Sequence, residues 1–426
     1  MTASFDFAHK NARRSGCLAV NYFGGMTLHT LQLHEIVRSR ITMSTLTRFC
    51  ERCERLTTDG NLWCQEKDCP AERGFPVFNY GDFVGDLKII KLVRVWRSGA
   101  LYEAKRNEDT VLVKVAHADP ECEERLRNEA KLLESLGEKP PKFKNWRRSI
   151  RPIRLRLLPP FPVASKRPYG EITIVGITRT FCVYEHIKGK ILSDLLLENP
   201  QLWHYEAAWV IATVAQALRP LAAQNKLHLS ISPDMILIDV DVEGHLRSTL
   251  LDLGWGLPVG QNPSTQVNLR HIEPGYAAPE VLTGKNNVNL AADTYSLGLV
   301  LYEMLAGHAG FKRPPNNPVL DPKLFRDDQV RKAVIQNRAA LPVQRPELEG
   351  AGVVELVQRA ISPSDRYVNV IEMAKSITKI YGNPPIERRP VPLRVYIVVG
   401  ILAVLLLALL LFAAYILITG LPKIGG

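Results

Sequence analysis

Acidic residues are in deficit. Across 426 residues there are 43 Asp and Glu against 54 Lys and Arg, a formal net charge of +11. The imbalance suggests an acidic partner, a membrane surface or nucleic acid, and says nothing about fold. Cysteine is scarce as well: seven in all, four of them crowded between Cys50 and Cys69. So few, so clustered, argue against a disulfide scaffold and for a metal knuckle in a reducing compartment. No apolar core follows the basic "HKNARR" near the start, so no secretory signal is expected there. No internal repeat is present. The last long segment lacks charge altogether, with none from Val395 to Ile418.

That charge-free stretch is long enough to cross a hydrocarbon core of roughly 30 Å at about 1.5 Å per residue. It shows no polar stripe, as a buried soluble helix would. A transmembrane helix over 395–418 is therefore expected. Arg388, Arg389 and Arg394 precede it and only Lys423 follows, so the positive-inside bias puts the N-terminal part in the cytoplasm. Few residues follow the span, and no sensor domain is expected beyond it. Residues 1–42 show no sustained periodicity. They are expected to be a disordered tail or an over-extended reading frame, since Met43 opens a more ordinary "MSTLTRFCERC".

What remains is rich enough to fold, with 46% apolar and 23% charged residues. The expected organisation is a cysteine module over 44–75, one globular domain over 83–382, a Pro- and Arg-rich linker over 383–394, and the span. "LKIIKLVRVW", "ALYEAKR", "TVLVKVAH", "EITIVGI" and "RTFCVYEHI" read as strands. "PECEERLRNEAKLLESL" reads as a helix, and after Gly189 the pattern is helical, most clearly in "EAAWVIATVAQAL" and "AADTYSLGLVLYEMLAG". Strands with one helix, then many helices, imply an α+β fold with a small strand-rich lobe on a larger helical one.

"HLSISPDMILIDV", His228 to Val240, resembles the catalytic loop of a protein kinase, H-R-D-L-K-P-x-N followed by a short apolar strand. Other segments follow in the family's order. "TVLVKVAH" looks like the strand of the ATP-binding lysine, Lys114, and "RLRNEAKLL" like the helix of its glutamate partner, Glu129. "FCVYEHIKG" looks like the hinge, with Tyr184 at the gatekeeper position and Glu185 after it. "LLDLGWG" resembles the D-F-G motif as Asp252-Leu253-Gly254. "PGYAAPE" resembles the end of the activation segment, Ala278-Pro279-Glu280, and Arg366 stands where the family pairs an arginine with that glutamate. "ADTYSLG" resembles the helix whose aspartate, Asp293, holds the catalytic-loop backbone. The resemblance, to eukaryotic-type Ser/Thr protein kinases, covers roughly residues 85–380 and implies their bilobal fold.

The departures fall on the chemistry. The catalytic base is replaced by Ser230, whose hydroxyl cannot accept a substrate proton near neutral pH. Ser232 replaces the lysine that meets the γ-phosphate. Met235 replaces the asparagine that binds Mg²⁺, a thioether where a hard cation wants oxygen. The pattern G-x-G-x-x-G-x-V falls on "RVWRSGAL", so Arg94 and Trp96 replace two glycines and only Gly99 remains. Bulky side chains there keep the backbone from phosphates. Leu112 replaces the small alanine that touches adenine. Nucleotide-site remnants therefore survive at Gly99, Lys114, Glu129, Glu185, Asp252 and Gly254, and scaffold residues at His228, Ala278, Pro279, Glu280, Asp293 and Arg366. ATP and Mg²⁺ binding are doubtful on this reading. It favours a degenerate kinase, or pseudokinase, acting as a scaffold for a protein partner; the alternative is an atypical, active membrane-bound Ser/Thr kinase.

Two stretches lie outside that resemblance. Cys50 and Cys53, then Cys64 and Cys69, can bring four thiolates into a tetrahedron suited to structural Zn²⁺. Coincidental thiols, a redox role or an iron site are the alternatives. The module has too few apolar residues to fold alone, so metal is expected to stabilise it; it resembles the short zinc ribbons found beside signalling domains. Lys139 to Arg156 holds eight Lys or Arg and no acid. It reads as a solvated insertion, or as a contact for anionic lipid at roughly 1 kcal/mol per basic residue. Nucleic acid is the weaker reading, because only Phe143 and Trp146 offer stacking.

Overall fold

A computed structural model describes residues 47–50, 56–57, 74–137, 153–162, 167–174, 176–254, 257–262, 272–273, 275–284, 287–310, 345–385 and 393–419. Strands β1 (Arg48–Cys50), β2 (Leu56–Thr57) and β3 (Gly74–Pro76) form a small antiparallel sheet in the order β2-β1-β3. Next come β4 (Phe83–Val84), β5 (Leu87–Val95), β6 (Gly99–Arg106) and β7 (Asp109–Ala116), then helix α1 (Pro120–Gly137). β8 (Leu157–Leu158), β9 (Gly170–Ile174) and β10 (Ile177–Glu185) complete a seven-stranded sheet in the order β4-β5-β6-β7-β10-β8, with β9 also paired to β10.

β7 shows why its sequence is almost continuously apolar. Val111, Val113 and Val115 point to the outer face of the sheet, and Leu112 and Ala116 to the inner one, as the two-residue strand period requires. Both faces are buried. The outer one is covered by Phe49 of β1 together with Val77 and Phe78, which follow β3. The cysteine-bearing sheet is therefore a second layer of the strand-rich lobe. Metal is expected to stabilise the module; Phe49, with Val77 and Phe78 that follow it, also lies in a hydrophobic cluster with β5–β7 and β10, and that burial contributes to holding the layer.

The helical lobe begins with β11 (Lys190–Ile191), α2 (Leu192–Glu198) and α3 (His204–Ala223). β12 (Lys226–Leu227) leads through a 3-10 turn at Pro233–Met235 into the hairpin β13 (Ile236–Val240) and β14 (Leu246–Leu250). Then follow β15 (Leu257–Pro258), α4 (Pro279–Thr283), α5 (Ala291–Ala306), α6 (Val353–Ile361) and α7 (Val370–Tyr381). α5 is buried along nearly its whole length, which explains a sequence without a polar face.

The last element is α8 (Leu393–Thr419), 27 residues long, with its described large apolar side chains exposed from Ile397 to Tyr415. Among the described residues no helix is long and apolar enough to cross a membrane. The span expected over 395–418 is therefore not met within the described residues.

Candidate functional site: a filled cleft

The cleft between the lobes is built on β7, α1 and the loop after β14. Asp119 caps α1, its side chain accepting the Glu121 N–H at 3.0 Å. Four-residue spacing then puts Arg125 and Glu129 on one face of the helix. Lys114 Nζ lies 2.5 Å from Glu129 Oε2 and 2.6 Å from Asp252 Oδ1. Asp252 Oδ2 accepts from Ser98 Oγ at 3.0 Å and from Arg125 at 3.4 Å. The Tyr184 hydroxyl donates to Glu129 Oε1 at 2.9 Å. All of these side chains are buried. Burial alone would raise the Asp252 carboxyl, but Lys114 and Arg125 outweigh it and hold the carboxyl far below the carboxylate range. Burial lowers the Arg125 guanidinium to about 10, against the pull of Asp252.

The chain's own groups thus occupy both oxygens of Asp252. Ser98 and Arg125 were not anticipated from sequence. Arg125 was legible as the residue one helical turn before Glu129; Ser98 left no signal, because only the folded turn brings it across to Asp252.

The nucleotide loop is filled differently from the expectation. Arg94 and Trp96 were expected to crowd phosphates from the strand. Arg94 instead reaches across to the helical lobe, donating to Ser193 Oγ at 2.5 Å and Asp194 Oδ1 at 2.8 Å, and pairing with Asp234 Oδ1 at 3.1 Å. Ser193 in turn donates to Asp234 at 2.6 Å. Trp96 is 4% exposed. Its indole N–H donates to the Asp234 carbonyl at 3.0 Å, and Lys114 Nζ lies 5.3 Å from the ring centroid. The cleft that remains, lined by Trp96, Ser98, Ser230, Ser232, Met235 and Asp252 among others, is about 20 Å³, room for a water or so. Leu112 is buried opposite Tyr184 across the β7–β10 pair.

In the loop itself, the buried hydroxyls of Ser230 and Ser232 have no hydrogen-bond partner among the described residues. Met235 is buried, and its carbonyl accepts from Leu251 N–H at 2.8 Å. The surviving glycines are accounted for by packing. A Cβ on Gly99 would come within 2.4 Å of the Val115 carbonyl, and one on Gly254 within 2.2 Å of the Arg125 carbonyl. Trp96 thus lines the cleft with Met235, a thioether that is a poor ligand for a hard cation, and Lys114 and Arg125 hold Asp252.

The framework around this cleft is tightly bonded. Asp293 of α5 accepts the backbone N–H groups of His228 at 2.7 Å and Leu229 at 2.8 Å. Those bonds hold Leu229 at φ 65°, while Asp252 sits at φ 55°, both left-handed and unusual for residues with a side chain. Glu280 at the start of α4 pairs with Arg366 at 2.6 Å, and Arg366 also donates to the Ala291 carbonyl at 3.3 Å. Ala278 and Pro279 open α4 and are buried. Glu185, at the end of β10, is half exposed and pairs with Arg156 at 3.4 Å.

Residues 172–349 match the protein kinase domain family. That match, together with the strand-rich and helical lobes, supports a protein kinase fold. The chain is 30% identical over 217 residues to the serine/threonine-protein kinase PknA of Corynebacterium glutamicum, covering 50% of this chain and 42% of that protein. It is 29% identical over 227 residues to the serine/threonine-protein kinase drp72 of Corynebacterium efficiens, covering 52% and 40%. With the PknA of Mycobacterium tuberculosis it shares 29% over 237 residues, covering 54% and 48%. The chain thus spans less than half the length of these relatives. The family match leaves out β5–β7 and α1, which carry Arg94, Trp96, Lys114 and Glu129.

Outside the cleft, Cys50 lies in β1 of the kinase-fold domain's outer layer and is buried; Cys53, Cys64 and Cys69 lie outside the described residues. Of the basic stretch, Arg154 is bound bidentately by Asp239 at 2.6 and 2.9 Å, and Arg156 pairs with Glu185. These two arginines are engaged within the chain, and most of the rest of the stretch lies outside the described residues.

Proposed function

We propose that the kinase-fold domain is a pseudokinase, a binding or scaffold module that presents a kinase-shaped surface to a protein partner. The observation that carries this reading is the Trp96 indole in the cleft, bonded to Asp234 at 3.0 Å and leaving about 20 Å³ beside it. Around it, Arg94 ties the loop to the helical lobe, Lys114 and Arg125 hold Asp252, and Ser230 stands where a base would be needed. Membrane tethering is part of the proposal and is supported by the charge-free sequence from Val395 to Ile418, with three arginines before it. The arginines orient the kinase-fold domain to the cytoplasm. Structural zinc at Cys50, Cys53, Cys64 and Cys69 and contact of Lys139–Arg156 with anionic lipid are proposed on spacing and charge.

The competing reading is an active Ser/Thr kinase, favoured by the Lys114–Glu129 pair at 2.5 Å and by the kinase names of the relatives. A thermal-shift titration of the full chain in detergent separates the two. A ligand at 100 times its Kd stabilises by about 2.7 kcal/mol. No Mg²⁺-dependent stabilisation by millimolar ATP is expected. A shift of several degrees, together with Lys114-dependent transfer of phosphate from radiolabelled ATP, establishes the enzyme instead.

A further inference from the structure

Between the cysteine-bearing sheet and the turn that carries Trp96 lies His117. His117 follows β7 and is 1% exposed. On its outer side the ring stacks on Phe75 of β3, with centroids 4.3 Å apart and planes 8° from parallel, and Phe49 of β1 stacks at 5.7 Å and 13°. On its inner side Nε2 lies 2.7 Å from the Trp96 carbonyl. A carbonyl only accepts, so that nitrogen carries the proton. The His117 backbone N–H donates to the Ser98 carbonyl at 3.1 Å, and the turn closes on itself from Trp96 N–H to the Gly99 carbonyl at 2.8 Å. Two carbonyls of the turn that holds the indole are therefore fastened to one residue. Two aromatic rings from the outer layer fix the plane of that residue, and the bond to Trp96 depends on that plane. Phe49 and Phe75 are themselves cross-strand partners in the β1–β3 register, next to the Cys50–Gly74 pair.

We infer that His117 is the positioning residue through which the β1–β3 layer holds Trp96 in the cleft, so that this layer controls access to the nucleotide site. The inference deepens the reading of Trp96 as the group that closes the cleft and rests on it. Trp96 has other anchors in the bond to Asp234 and the contact with Lys114, so loosening His117 frees the turn without unfolding the lobe. A change in the outer layer then reaches the cleft without any ligand entering it.

Hydrogen exchange on the full chain in detergent tests this with two variants. His117→Phe keeps a ring for the stack and removes the bond to the Trp96 carbonyl. Phe75→Ala removes the closer stacking partner and leaves His117 in place. Both are expected to raise exchange across the Trp96–Gly99 turn at least tenfold, with α5 unchanged, and to admit N-methylanthraniloyl-ADP, detected by its fluorescence. Unchanged exchange in the turn overturns the inference, as does a rise shared equally by α5, which would mean general loosening. Trp96→Ala separates the underlying reading. If it admits no labelled nucleotide while His117→Phe still frees the turn, Trp96 is not what closes the cleft, yet the coupling stands.

Discussion

Asp252→Asn separates a bracing carboxylate from a catalytic one. Asp252 is 2% exposed and is held by Lys114 at 2.6 Å, Ser98 at 3.0 Å and Arg125 at 3.4 Å. The substitution keeps the shape and removes one negative charge. Lys114 retains Glu129, but Arg125 is left buried beside a neutral amide. Breaking a buried ion pair from one side costs about 3–5 kcal/mol. For a domain of about 300 residues, at about 2.1 cal/mol/K per residue, that corresponds to roughly 5–8 °C in Tm. A carboxylate kept for chemistry behaves in the opposite way, since active sites trade stability for function and their removal is often neutral or stabilising. The assay is thermal and urea denaturation of the full chain in detergent. The double variant Asp252→Asn with Arg125→Met should recover part of the loss, with a coupling of about 0.5–3 kcal/mol. An unchanged or raised Tm for Asp252→Asn alone would refute the bracing role and return Asp252 to metal chemistry.

Two further outcomes are expected. Freshly purified, reduced protein should carry about one equivalent of zinc, released by Cys53→Ser; elemental analysis finding none rules the site out. Acid should weaken the fold through His228, which burial keeps neutral down to about pH 4 from an ordinary 6.5. The unfolded chain binds the extra proton between those values, so stability falls as pH drops through that window, by about 2 kcal/mol at pH 5. Asp293 acts in the opposite sense. Burial raises it to about 6 from 3.8, so acidification across that window adds stability. His228→Asn removes only the first contribution and should flatten the loss between pH 7 and 5; superimposable profiles for variant and parent would sink this assignment.

Much of the framework was legible because it depends on local patterns. The two-residue alternation in "TVLVKVAH" and the apolar run of "AADTYSLGLVLYEMLAG" determine a strand buried on both faces and a helix buried all round. Asp293, Glu280 and Arg366 could be picked out because their roles depend on order along the chain. The expectation drawn from Ser230, Ser232 and Met235 is also a matter of residue type: a hydroxyl is a poor base and a thioether a poor ligand for Mg²⁺, wherever they sit.

The direction in which Arg94 and Trp96 point was not legible. From sequence both were obstacles to phosphate on a strand. In the fold one bridges to Asp194 and Asp234, and the other donates to the Asp234 carbonyl, 138 residues away. Such contacts depend on how two lobes meet, which no local periodicity encodes. The same holds for Ser98 on Asp252 and for His117 between Phe75 and the Trp96 carbonyl. The sequence by itself determined the strand and helix patterns and the residue types in the 228–240 loop, serines at 230 and 232 and a methionine at 235. Tertiary structure alone decided that the cleft is filled by the chain's own side chains, because burying an indole and pairing desolvated charges takes partners from segments far apart in sequence.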